Sequence, residues 1–456
     1  MKSDWIRGRR KIKKKRGFQP AQVLAVSFMA TILVGTLLLL FNFSTKSGHI
    51  SLVDALFTST SAVCVTGLVV QDTPTYFSPI GQVIILILFQ LGGLGIMTFS
   101  TMILLVAHKK ISVKDKIMVQ EGFHYAAPKD FKSLIRNMFY FTLFIELAGT
   151  LFLFLRFLKD TPWPRALYQS FFHAVSAFCN AGFSLFSDSF VSYRGDVLVN
   201  AIVVILIIFG GLGFLVLQEG REILFNLFMR KKRHISLHSK LVLLLTLILI
   251  VFSFVLFGLI ERNHSLETFD GGEKVLSSLF QVITPRTAGF NTIDLGYLSS
   301  ASVFLLILLM FIGASPGSTG GGVKTSTMGV IFAFLKSRIA ARESVSIFRR
   351  TLPIPLVTRA FLVISLSLSV IFLSSFLLLL SEPGVGLRQV LFEVFSAFST
   401  VGLSLGLTPK LSALGKIVVI LTMYIGRIGP LTLLYAFSRP RAIGRFEYVE
   451  ESVMIG

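Results

Sequence analysis

The chain has 456 residues, of which 53% are hydrophobic and only 15% charged, and its formal net charge is +21. Soluble domains carry about 25% charged residues, so this deficit, with apolar runs of about twenty residues, excludes an ordinary soluble protein and predicts an integral membrane one. Two cysteines, Cys64 and Cys179, are too few for a disulfide framework.

In chain order, residues 1–19 form a basic N-terminus. The apolar run at 20–42 is too long, and its flank too basic, for a cleaved secretory signal, so it reads as a retained helix. With a glycine-bearing run at 79–107 it bounds a first unit, 20–107. A second unit, 134–220, contains runs at 134–158 and 196–220. A third, 240–335, contains runs at 240–260 and 299–335. A fourth, 354–438, contains clean runs at 354–380 and 412–438, and residues 439–456 follow. The expected fold is all-α and membrane-integral, with eight transmembrane helices. Charge orients it. Segments 1–18, 109–132, 221–240, 336–350 and 439–456 hold 29 Lys and Arg, whereas the loops near 43–80, 159–197, 261–298 and 381–411 hold nine. Basic loops stay cytoplasmic, so both termini are expected there. The positive charge is topology rather than a nucleic-acid surface, and no nucleic-acid partner is expected.

Between the two runs of each unit lies a half-apolar segment too short to cross a bilayer, which takes about 20 helical residues. These are Leu56–Leu68 (LFTSTSAVCVTGL), Phe171–Phe183 (FFHAVSAFCNAGF), Leu279–Phe290 (LFQVITPRTAGF) and Leu391–Leu403 (LFEVFSAFSTVGL). They share Gly67, Gly182, Gly289 and Gly402, each followed by a bulky apolar residue. A second glycine landmark begins at Gly92, Gly210, Gly313 and Gly426, offset by 25, 28, 24 and 24 residues. Two landmarks recurring four times at similar spacing indicate an internal repeat.

A segment that enters the membrane and returns leaves backbone groups without helical partners, tolerated only within protein or beside a water-filled cavity. Four such segments around an axis offer carbonyl oxygens in place of a cation's hydration shell. The expected ion-binding residues are therefore Val65, Thr66 and Gly67; Asn180, Ala181 and Gly182; Thr287, Ala288 and Gly289; and Thr400, Val401 and Gly402, with potassium at the carbonyls of the four glycines. The negative end of each short helix points the same way. One glycine per segment implies fewer carbonyl rings than the TVGYG loop, and so lower selectivity and sodium as a second ion.

Charged residues inside spans are functional by default. Glu146 and Glu219 qualify, although the first also suits pairing within the bundle and the second an interfacial place. Arg427, between Gly426 and Gly429, has two readings: a positive barrier below a cation filter, or a guanidinium that pins helix ends by bonding free carbonyls. The stretch Gly313–Thr327 (GASPGSTGGGVKTST) cannot be one continuous helix. It predicts two half-helices joined by an intramembrane loop, with Gly313, Gly317, Gly320, Gly321, Gly322 and Lys324 in a gate with Arg427. The stretch nearly matches a phosphate-binding loop, but Val323 interrupts the spacing and no strand precedes it. His173 reads as a packing residue, and no metal cluster or nucleophile–base pair stands out.

At Ala62–Leu68, Ser176–Phe183, Thr284–Asn291, Phe398–Leu403, Gly320–Thr325 and Gly426–Thr432 the chain resembles the Trk/Ktr/HKT potassium-transporter superfamily, over about residues 20–440. It is most similar to the membrane subunits of bacterial Ktr systems. The resemblance implies four M1–pore helix–M2 repeats around a pseudo-fourfold pore in the cell (inner) membrane, a homodimer, and control by a cytosolic ring of KtrA-like RCK/KTN-type nucleotide-binding subunits. That nucleotide-binding domain would be supplied in trans, and no organic cofactor is implied in this chain. Gly67, where plant relatives that favour sodium can have Ser, implies potassium. Three functions follow: a gated potassium uptake pore, a sodium-coupled potassium symporter, or a membrane enzyme acting on lipid. The last lacks a cluster of catalytic acids.

Overall fold

The computed structural model describes residues 20–95, 131–228 and 235–437, with single residues 449, 451 and 454. Segment 1–19, the part of the first unit beyond Gly95, nearly all of the basic stretch 109–132, and nearly all of 439–456 lie outside the described residues. Most of what is described is helix. Four times the chain makes a long helix, a short helix, an extended crossing and a further helix. The long helices are Pro20–Leu40, Phe131–Phe157, Leu237–Glu261 and Ile354–Ser381. The short ones are Leu52–Val63, Trp163–Cys179, Gly271–Ile283 and Leu387–Ser399. The further helices begin at Pro79, Val197, Ser300 and Ala413.

Polar residues start the further helices. Ser78, Ser299 and Ser412 each accept a hydrogen bond from the backbone N–H three residues on, and Asp196 accepts two. Each thus satisfies donors that a helix start leaves free. The long helices instead turn apolar side chains outward: Leu247, Phe252 and Leu259 are exposed along Leu237–Glu261. Such a surface is untenable in water and suited to lipid. The short helices are the reverse. Thr58, Ser59, Thr60 and Ser61 are all buried, so these helices lie inside the protein.

By length and composition, four helices among the described residues are able to cross a bilayer, and six if two bent pairs each count as one span. The pairs are Val197–Leu212 with Phe214–Phe228, bent by 106°, and Ala413–Ile428 with Pro430–Phe437, bent by 90°. The second pair corrects the expectation of a clean run at 412–438. Gly429 adopts φ +89 and Pro430 has no N–H to continue the ladder, so the helix turns there. The run at 299–335 is two helices, Ser300–Phe311 and Thr325–Ile339, as its glycine content predicts. The run at 79–107 is helical through Leu94.

The chain closes on itself. Ala413–Ile428 packs on Leu52–Val63, and Pro430–Phe437 on Pro20–Leu40, so the last unit touches the first. One buried cluster draws mainly on those two units, including Phe57, Phe89, Phe398 and Met423. A second, including Phe178, Phe280 and Phe290, lies mainly between the middle two.

Candidate ion-binding site

Each short helix ends by unwinding in the same way. The residue two before the shared glycine takes a left-handed conformation in all four units: Val65 at φ 57, Asn180 at 57, Thr287 at 75 and Thr400 at 52. The glycines follow at φ 86, 71, 77 and 94. A side chain in that region costs about 1–3 kcal/mol, which glycine avoids. The conformational repeat refines the sequence comparison. The residue equivalent to Asn180, Thr287 and Thr400 is Val65, and Thr66 stands one place nearer its glycine.

The four glycines meet. A methyl group added at Gly67 would lie 2.5 Å from the Ala181 carbonyl oxygen and 2.8 Å from Gly182 Cα. One at Gly182 would lie 3.0 Å from Ala288 O, one at Gly289 2.5 Å from Val401 O, and one at Gly402 2.2 Å from Thr66 O and 3.1 Å from Gly67 Cα. The sequence of neighbours runs Gly67, Gly182, Gly289, Gly402 and back to Gly67. Four glycines from four distant parts of the chain, each beside the carbonyl that precedes another, thus converge on one point.

Hydroxyl groups on the short helices hold these turns. Ser61 Oγ accepts from Gly67 N at 3.1 Å and Ser396 Oγ from Gly402 N at 3.1 Å. Ser176 Oγ donates to Phe183 O at 2.8 Å and Thr284 Oγ1 to Phe290 O at 2.6 Å. The sequence reading missed these four. Their signal was a hydroxyl in every segment, five or six residues before the glycine. Thr66 Oγ1, Asn180 Oδ1, Thr287 Oγ1 and Thr400 Oγ1 are buried without hydrogen-bond partners. Buried oxygens without donors are costly.

The second landmark has a packing cause. A methyl group at Gly92, Gly210 or Gly426 would stand 2.0, 1.9 or 1.8 Å from the carbonyl oxygen of Val63, Phe178 or Phe398. Those carbonyls occupy one position, four residues before each ring glycine. Only glycine lets the further helices lie directly against the ends of the short ones. The third unit departs from this pattern: Gly313 meets Gly321 O of its own loop instead.

That loop, between Phe311 and Thr325, lies beneath the ring. Gly313 N donates to Val323 O at 3.0 Å, which pinches the loop at its base. Ser315 N and Thr319 N donate to Gly211 O and Gly210 O at 3.0 and 3.2 Å, and Gly317 O accepts from Phe214 N at 2.9 Å. The bend at Gly213 exposes those groups. Asn180 Nδ2 donates to Thr319 Oγ1 at 3.2 Å. Gly320 and Gly321 press on Thr287 and Thr400, where an added methyl group would come within 2.0 and 2.3 Å of the hydroxyl oxygens.

Two cations hold the loop from below. Lys324 Nζ donates to Gly320 O at 2.7 Å. Arg427 donates to Thr319 O and to Gly92 O, so it joins the fourth unit to the third and the first. It bonds carbonyls at a loop and near a helix end. A cavity of about 520 Å³ opens under the loop, bordered by Gly321, Lys324 and Arg427.

The other singled-out residues lie elsewhere. Glu146 accepts from Gln90 Nε2 at 3.0 and 3.1 Å within the bundle. Glu219 accepts from Ser236 N. His173 is buried behind the ring, with Nε2 3.0 Å from Ser184 Oγ. Near the start of the first short helix, Lys416 Nζ lies 2.6 Å from Asp54 Oδ1 and ties the fourth unit to the first. The sequence reading did not anticipate that pair.

A family model described as TrkH, cation transport protein, matches residues 5–443. The chain is 41% identical over 424 residues to Ktr system potassium uptake protein B of Bacillus subtilis, covering 92% of this chain and 94% of that protein. It is 38% identical to the potassium/sodium uptake protein NtpJ of Enterococcus hirae, covering 97% and 98%. The crystal structure of the potassium transporter TrkH from Vibrio parahaemolyticus superimposes with a TM-score of 0.72 at 20% identity, covering 95% of this chain and 88% of that one.

Proposed function

This chain belongs to the TrkH family of cation transport proteins, and we propose that it takes potassium into the cell through one pore framed by four M1–pore helix–M2 repeats. The eight runs form the walls of that pore, and the four short helices point their C-terminal ends at its axis. The observation that carries this reading is the ring itself. Gly67, Gly182, Gly289 and Gly402 meet with one backbone conformation repeated four times. A dehydrated cation on that axis is coordinated by the carbonyls of Val65–Gly67, Asn180–Gly182, Thr287–Gly289 and Thr400–Gly402.

The loop from Gly313, with Gly317, Gly320, Gly321, Gly322 and Lys324, is the gate. It closes the inner end of the ring against Thr287 and Thr400. Arg427 holds it closed and adds a positive charge in the ion's path, which opposes cation passage until the loop moves. The relatives' family of ion transporters disfavours the lipid-enzyme reading. Relatives named for a Ktr system support a multicomponent assembly. On that basis the pore subunit is a homodimer controlled by a cytosolic nucleotide-binding ring, in the inner membrane with both termini cytoplasmic.

Rubidium uptake into liposomes holding the purified chain, under an outward potassium gradient, tests the reading. Uptake that potassium competes away and sodium competes poorly supports it. Equal competition by both ions, or none, ends it. Because the name of NtpJ couples potassium with sodium, the same vesicles with an imposed sodium gradient test coupling: a symporter's reversal potential moves with that gradient, and a passive pore's does not.

A further inference from the structure

The ring is fourfold in backbone, but its outer supports are not. Nine residues before Gly182 and Gly402 stand His173 and Glu393, both with no exposed surface. Two residues after those glycines stand Ser184 and Ser404. Ser404 Oγ donates to Glu393 Oε2 at 2.8 Å, and Thr408 Oγ1 donates to Oε1. In the second repeat His173 Nδ1 donates to Gln169 O at 2.7 Å, leaving Nε2 to accept from Leu185 N at 3.2 Å and to meet Ser184 Oγ at 3.0 Å. Each serine also accepts from the N–H two residues on, Phe186 N at 2.9 Å and Gly406 N at 3.1 Å. Two different side chains therefore build one device, which ties the short helix to the chain just outside the glycine.

The other two repeats lack it. The equivalent of His173 and Glu393 is Thr58 in the first and, allowing for the shorter third segment, Gln281 in the third. Both are buried, and Thr58 Oγ1 and both polar atoms of Gln281 have no hydrogen-bond partner. The positions that answer to Ser184 are Val69 and Asn291. Valine offers nothing to bond, and Asn291 Nδ2 turns away to Ile293 O at 3.0 Å. The tied glycines face each other across the ring, because Gly182 and Gly402 each neighbour Gly67 and Gly289.

Resting on the pore reading above, we propose that Glu393 and His173 are positioning residues that fix two opposite walls of the filter, making its outer half twofold. They act through Ser404 and Ser184, and neither touches the ion. A hard cation is discriminated by the number and placement of its oxygens, so a wall held by a buried hydrogen bond keeps its distance when a smaller ion enters. A free wall closes in. Pinning one opposite pair preserves the potassium-sized spacing across one diagonal.

The experiment compares rubidium with sodium flux for the whole purified chain in liposomes. The parent is measured first, and a parent with no preference sinks the pore reading rather than this one. Glu393→Ala is expected to lower the rubidium-to-sodium ratio by about tenfold, the equivalent of about one buried hydrogen bond. Glu393→Gln, which keeps an acceptor for Ser404, is expected to restore most of the ratio. Ser404→Ala and Ser184→Ala, smaller changes that test the link if the alanine variant fails to insert, each lower it severalfold. Thr58→Val, which removes a hydroxyl with no partner, leaves the ratio as in the parent. The thermal midpoint of each solubilised variant separates a positioning role from a fold defect. If Ser404→Ala and Ser184→Ala keep the parental ratio, or if Thr58→Val lowers it as much as they do, the proposal is overturned.

Discussion

The outer and inner halves of this molecule obey different rules. Outside, four segments repeat one sequence of backbone angles, one glycine and one bracing hydroxyl around a common point. Inside, the repeat is abandoned. Among the described residues, only the third unit sends a loop beneath the ring, and it docks on a bend of the second and is held by an arginine of the fourth. An ion at the centre of a ring needs similar oxygens on every side, which favours repetition. A gate needs one element with two positions, and four copies of it would have to move together. On the function proposed above, the difference divides selection and gating between a symmetric and an asymmetric half.

The sharpest way to break that division is Gly67→Ser. It forces a side chain into the left-handed region, at about 1–3 kcal/mol, and against Ala181 O. If the outer half alone selects, the rubidium-over-sodium permeability ratio falls about tenfold or more while gating is unchanged. An unchanged ratio would remove the glycine from the filter. The complementary test strikes the inner half. Arg427→Gln loses charge-assisted hydrogen bonds of about 1.5–3 kcal/mol, so rubidium uptake by liposomes rises severalfold at constant ion preference. Deleting three residues within Gly317–Gly322 produces the same rise. Parental uptake by a well-inserted deletion would mean that the loop is no gate.

Two smaller effects sharpen the comparison where the halves meet. Gly210→Ala puts a methyl group 1.9 Å from Phe178 O. It is expected to destabilise the protein by about 1–3 kcal/mol, the range for overpacking, as a lower thermal midpoint with reduced uptake. The smallest concerns the outer seam between first and last units. Burial pushes the Asp54 carboxyl up, but hydrogen bonds from Lys416 and Gln71 and the Lys416 charge outweigh it and hold it below the ordinary carboxylate range. Its contribution is present at neutral pH and fades as pH falls below about 4 toward the folded value. Lys416→Met therefore lowers the thermal midpoint at pH 7, and the gap from the parent narrows in acid.

Much of the outer half was legible in the sequence. The ring glycines stand out because one backbone conformation needs glycine at four spaced places, and the same need made the second landmark visible. The broken helix at 313–327 was legible from its glycine content alone. What escaped depended on partners far apart in sequence. Lys416 and Asp54 are 362 residues apart, and nothing local marks either as paired. Glu393 sits in plain view within LFEVFSAFSTVGL, but its worth rests on two hydroxyls beyond the glycine. The sharp turn at Gly429 was hidden because a bent apolar helix and a straight one have the same composition.

The loop under the ring is suspended largely from main-chain atoms, Gly210 O, Gly211 O, Phe214 N, Val323 O and its own Thr319 O, and Thr319 Oγ1 adds bonds to Phe178 O and Gly210 O. A latch of that kind depends on few side chains, Thr319 and Arg427 foremost among them. Mutations that spring it are therefore few and clustered, falling on its glycines, on its length, on Thr319 and on one guanidinium, and a random search for leaky variants would return the same short set again and again.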